Sequence, residues 1–181
     1  MNMENIETYW AIVSHTTVVI NYLLEGWLFY RFVKPFMKQK AYYVGIAYSV
    51  VMLIFFCIPQ EITYPNLQGA LAAWIVMCLL EKRKIKQKAF LAISMYLFRW
   101  VVYGVTLVLR DIMFALFIET SYMLNHPIQQ VIMYAIVELV YFAIALTSMY
   151  LVIKLIHKVY VNKKEDITEK ELLLLFATMF S

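Results

Sequence analysis

The run "VIMYAIVELVYFAIALTSMYLVI", residues 131 to 153, has Glu138 as its one charged side chain. It is long enough to cross the roughly 30 Å hydrocarbon core of a bilayer as a helix, which takes about 20 mainly apolar residues. Several other windows of the same kind alternate with short polar connections. Backbone polar groups in lipid must be satisfied within the segment, so such windows are constrained to be helical. With 64% of residues hydrophobic, 15% charged and a mean hydropathy of +0.71, the chain lies outside the range of soluble domains. An integral membrane protein is expected.

Spans are expected at about residues 9–30, 42–58, 66–80, 89–110 and 128–153, with a further helix starting at 169 and running to 181. The fold class is therefore all-α: a polytopic transmembrane helix bundle of five spans plus the start of a sixth, forming one membrane domain over 1–181. The third span is short, which implies local thinning or tilt of its neighbours. Thr168 and Glu171 have capping-box spacing and mark the start of the last helix. Its apolar part would rise only ~15 Å, half a membrane. The chain is thus expected to be the front of a longer protein, with a re-entrant helix as the alternative.

Orientation follows from the connections. "RFVKPFMKQK" at 31–40, "EKRKIKQK" at 81–88 and "KLIHKVYVNKKEDITEK" at 154–170 hold every lysine and arginine except Arg99 and Arg110. By the positive-inside rule these lie in the cytoplasm. "PQEITYPN" at 59–66, "ETSYMLNHP" at 119–127 and the N-terminus contain acids and no lysine or arginine, so all three are expected outside. The start of the chain also lacks the basic region of a signal peptide and is expected to remain as a span. The net charge of +4 is therefore a topological signal, and nucleic acid is not an expected partner.

Ionisable groups at membrane depth cost several kcal/mol unless they pair, snorkel or face water, which makes each a candidate functional residue. They are Glu25, Arg99, Arg110, Asp111 and Glu138. Helical side chains lean toward their own N-terminus, so Glu25 on an outside-to-inside span and Arg99 on an inside-to-outside span lean toward each other and can meet if those two helices are neighbours. Arg110 and Glu138 meet the same condition. Arg99 and Arg110, about three turns apart, share a face of the fourth helix, whereas Asp111 points about 100° away from Arg110, toward the outer interface or loop. Asn21, one turn before Glu25, extends the polar face of the first helix and is suited to donate a hydrogen bond across helices. A polar seam that relays a signal or binds a ligand is one reading. Pairs that only hold helices in register are the other.

Catalytic chemistry finds little footing. Cys57 and Cys78 have no metal-binding or redox spacing, and of His15, His126 and His157 only His157 is expected on the same side as Cys78. No zinc ligand set is present and no cofactor is expected. The basic run at 81–88 could meet anionic lipid headgroups, although topology alone explains it. Gly69 and Ala73 have the small-xxx-small spacing that permits close helix approach, and alanine's frequency in membrane helices accounts for it equally well.

Four stretches, "EGWLFYRFVKPF" at 25–36, "YYVGIAYSVVML" at 42–53, "EKRKIKQKAFLAISMYLFRW" at 81–100 and "TEKELLLL" at 168–175, together resemble the membrane sensor region of accessory-gene-regulator-type (AgrC-like) sensor histidine kinases with GHKL ATPase domains, common in Firmicutes. The resemblance implies a multi-pass plasma-membrane sensor with its N-terminus outside. It implies detection of an extracellular, peptide-like signal in two-component quorum sensing, with relay to a cytoplasmic kinase module and a response regulator. The expected partners are the lipid bilayer, a second copy in a homodimer and that signal ligand. Neither a phosphoacceptor histidine box nor an ATP-binding motif lies within these residues, so any kinase activity belongs to the parent protein. A small transporter subunit that binds a solute or vitamin is the alternative, and a structural or assembly role a third.

Overall fold

A computed structural model describes residues 3–37, 40–58, 65–82, 84–120 and 125–160. The connections at 59–64 and 121–124, and everything from 161 onward with the Thr168–Glu171 capping box, lie outside the described residues. Among the described residues the chain is all-helical, with five α-helices and no strand. They are α1 (Met3–Val33), α2 (Tyr42–Phe56), α3 (Pro65–Leu80), α4 (Ile85–Phe117) and α5 (Pro127–Tyr160), with a single 3₁₀ turn at Lys34–Phe36 after α1.

Three helices overrun by several residues the windows drawn from hydropathy, the first of them running Met3–Val33 where 9–30 is expected. The helix expected at 89–110 runs Ile85–Phe117 and that at 128–153 runs Pro127–Tyr160. Lysine, glutamine and leucine in these flanks are good helix formers, so the helix passes the point where the apolar run stops. Pro127 opens α5, where its missing N–H has no intrahelical acceptor to lose. Two helices, α4 and α5, are both long and apolar enough to cross a membrane. The length of α1 suffices, but Ser14, His15, Thr16, Thr17, Asn21 and Glu25 dilute its apolar surface. α2 and α3, at 15 and 16 residues, rise only ~23 Å.

The apolar surface of the long helices points outward. Only 11% of the apolar window of α4 is buried, and 33% of that of α5. Trp100, Val105, Val108, Ile112 and Leu116 of α4 are all exposed. A helix at the core of a soluble protein would hide these side chains.

Residue contacts divide the chain into two compact units. One takes in residues up to Asn21 together with Val101–Ser148; the other takes in Tyr22–Trp100 and the residues from Met149. In the first, Ile118, Tyr134 and Val137 form a core packed by Trp10, Val13, Met113, Phe114 and Met133. Trp10 and Phe114 flank the Tyr134 ring, with centroids 4.1 and 5.5 Å away. Thr17 and Thr106 donate to carbonyls one turn back, which satisfies hydroxyls that an apolar setting would otherwise orphan.

In the second unit α1 and α2 cross at glycine. A Cβ on Gly45 would lie 2.3 Å from the carbonyl oxygen of Gly26, and one on Gly26 would lie 2.6 Å from that of Gly45. Backbone cannot give way as a side chain can, so this approach requires glycine on both helices. Ser49 Oγ, beside the crossing, donates to the Tyr22 carbonyl at 2.9 Å. α3 packs on α2, where Gly69 faces Met52 and Tyr48 and Ala73 is fully buried. At Gly69 the absence of a Cβ therefore admits the Met52 and Tyr48 side chains of α2.

Candidate functional site

Glu25, on α1, has no exposed side-chain surface. Its Oε2 accepts hydrogen bonds from Arg99 Nε on α4 at 2.8 Å and from the Tyr48 hydroxyl on α2 at 3.1 Å. Three helices thus converge on one carboxylate oxygen. The Tyr48 ring is braced edge-on by Phe29, with centroids 5.2 Å apart. Local sequence explains the placement: α1 and α4 continue without a proline through Glu25 and Arg99, and the Gly26–Gly45 crossing, next to Glu25, draws α2 close enough for Tyr48 to reach. Removing one member of such a buried pair leaves a charge without compensation and costs about 3–5 kcal/mol.

The second pair belongs to the other unit. Arg110 on α4 donates from Nε to Glu138 Oε1 on α5 at 2.8 Å, and its Nη2 bonds the same oxygen. The guanidinium also lies over the rings of Phe114 and Tyr141, at 4.8 and 5.6 Å from their centroids. Glu138 is buried while the Arg110 side chain is 29% exposed, against 11% for Arg99. The Arg110 pair therefore keeps some contact with the surroundings, and the Arg99 pair keeps very little.

Asn21 is buried and contacts α4, but as an acceptor: Tyr103 donates its hydroxyl to Asn21 Oδ1 at 2.8 Å. On that bond the phenol brings the proton and the Asn21 amide oxygen accepts it. Asp111 is exposed, as its 100° offset from Arg110 requires.

Tyr48 and Tyr103 were not singled out by sequence. A tyrosine in mid-span needs a partner for its hydroxyl, and that was the available signal. His157 stacks on Phe32, with centroids 5.9 Å apart and planes 10° from parallel, and its Nε2 lies 2.8 Å from the Phe32 carbonyl oxygen. It thereby satisfies a carbonyl at the end of α1 that has no helical N–H to accept from. Among the described residues no group of histidine, cysteine and carboxylate side chains could hold a metal, and Cys57 and Cys78 are free thiols. The arrangement offers paired charges and the hydrogen bonds between them.

Compared with known protein families, curated proteins and solved structures, the chain matches none.

Proposed function

We propose that this chain is the membrane sensor domain of a two-component histidine kinase of the accessory-gene-regulator type. In this reading it is a plasma-membrane bundle of five spans and the start of a sixth, N-terminus outside, paired with a second copy and joined to a cytoplasmic kinase module. The observation that carries the reading is the Glu25 carboxylate shared by Arg99 of α4 and Tyr48 of α2. It is a polar contact among three helices that a small rotation of any one would re-partner.

The outward apolar surface of α4 supports a lipid-facing helix, and the confinement of lysine and arginine to three connections supports the topology. A peptide-like signal would enter by the connections at 59–66 and 119–127. Its binding would favour one of two packings of the paired charges, and the last helices would carry the difference to the kinase and its response regulator.

The reading frame beyond Ser181 tests this proposal. Continuation into a histidine-bearing helix and a GHKL ATPase domain is expected. A stop codon followed by genes for an energy-coupled transporter would contradict it and favour a solute-binding subunit.

A further inference from the structure

A groove of about 440 Å³ runs along the crossing of α1 and α2. On α1 it is lined by Leu23, Gly26, Trp27 and Tyr30, a single helical stripe, and on α2 by the matching stripe that runs from Tyr42 to Leu53. That stretch of α2 rises roughly 16 Å. Spread over such a length, the volume leaves a section under ~30 Å², too narrow for a helix, which is ~10 Å across with its side chains. Leu23, Trp27, Tyr42, Ile46 and Val50 are all exposed, so among the described residues nothing covers the groove.

Polarity changes along its length. At one end the walls are Leu23, Val50 and Leu53, and at the other they are the rings of Trp27, Tyr30 and Tyr42. Two cations stand on those rings: Arg31 Cζ lies 5.4 Å from the Trp27 ring centre, and Lys34 Nζ lies 5.7 Å from that of Tyr30. Both side chains are exposed. A ring face attracts a cation without neutralising it. The sequence supplies no Asp or Glu between Glu25, whose carboxylate serves Arg99 and Tyr48, and Glu61. An apolar trench that passes into aromatic rings and then into positive charge matches an amphiphile with a hydrocarbon tail and an anionic head.

We infer that the groove between α1 and α2 holds an acyl chain of an anionic phospholipid, whose phosphodiester is held by Arg31 and Lys34. The arginine fork matches two phosphate oxygens at once, and the lysine adds a point charge. The narrow section argues against a helix of a second copy, and the two cations favour an anionic headgroup over a zwitterionic one. The inference rests on the proposed topology, in which α1 and α2 span a membrane and the connection at 31–40 lies at its cytoplasmic face. It does not depend on the chain being a sensor.

The full chain is extracted from bilayers of phosphatidylcholine and phosphatidylglycerol in equal amounts and weighed by native mass spectrometry for retained lipid. Preferential retention of phosphatidylglycerol is expected. Arg31→Gln combined with Lys34→Gln, which leaves Trp27 and Tyr30 in place, should lower that retention roughly tenfold or more. Lys82→Gln combined with Lys86→Gln removes two exposed charges from another basic connection and should change it less than about twofold. Val50→Trp fills the groove from an exposed position and should abolish retention with both cations present; Ile46→Trp, also exposed, serves the same purpose if the first variant fails to fold. Equal retention of the two lipids, equal loss from the two pairs of charge substitutions, or retention indifferent to the filling substitutions would overturn the site. So would a lipid-free dimer that the filling substitutions dissociate, since a second copy would then occupy the groove. Release of the chain from membranes by alkaline carbonate would overturn the spanning topology and the groove with it, whereas a chain that stays with the membrane and retains no phosphatidylglycerol overturns the groove alone.

Discussion

Arg99 and Glu25 stand 74 positions apart in the chain, and their side chains meet at 2.8 Å with the carboxylate wholly buried. Each alone would be an uncompensated charge. Glu25→Gln and Arg99→Gln are each expected to destabilise the protein by about 3–5 kcal/mol, while the double substitution Glu25→Leu with Arg99→Met recovers most of that loss. Unfolding in mixed detergent micelles, run as a double-mutant cycle, measures the coupling. Additive losses would mean that the two charges do not depend on each other.

Tyr48→Phe removes only the hydroxyl that donates to Glu25 and keeps the ring against Phe29. Hydrogen bonds to charged groups reach about 1.5–3 kcal/mol in water-soluble proteins but average nearer 0.6 between membrane helices. A loss of about 1 kcal/mol is expected by the same unfolding assay. It should vanish in a Glu25→Gln background if the carboxylate is what the hydroxyl serves.

Two glycine-to-alanine substitutions should move in opposite directions. In Gly45→Ala the new methyl meets the Gly26 carbonyl, and separating α1 from α2 is expected to cost about 1–3 kcal/mol or more. A Cβ on Gly104 meets nothing within 4 Å, so Gly104→Ala should stabilise α4 by about 0.5–1 kcal/mol. Melting temperatures of the two variants check both signs at once.

The proposed topology places Cys57 near the outer end of the second span and Cys78 near the inner end of the third. A membrane-impermeant maleimide applied to intact cells should therefore label Cys57, which is exposed, and leave Cys78 unlabelled until the membrane is opened. Labelling of Cys78 from outside would reverse the orientation.

The pairing of Glu25 with Arg99 and of Arg110 with Glu138 was legible in the sequence on the condition that the helices carrying them are neighbours, which the sequence does not supply; given that, it needs only two inputs. Those are helix direction, taken from the basic connections, and the lean of side chains along a helix. Helix ends were less legible: hydropathy finds the apolar window, whereas lysine and glutamine continue α4 and α5 beyond it. The Gly26–Gly45 crossing and the approach of Tyr48 to Glu25 were not legible, since periodicity tells which face of a helix is buried and not which helix covers it. Lys88, which is buried, could not be told from its neighbours in "EKRKIKQK", because burial of one lysine in a basic run leaves no trace in composition.

The central claim is that the Glu25–Arg99 contact is a switch and more than a strut. Under the proposed function, signal-dependent autophosphorylation of the proposed parent kinase measures it most directly, with unsubstituted protein, Glu25→Gln, Arg99→Gln and the exposed control Asp111→Asn compared at equal membrane abundance. Either neutralisation of the pair should fix the kinase at one activity whether or not signal is present, while Asp111→Asn responds normally. A full response from Glu25→Gln and Arg99→Gln at normal abundance would contradict the account and leave the pair a structural clamp.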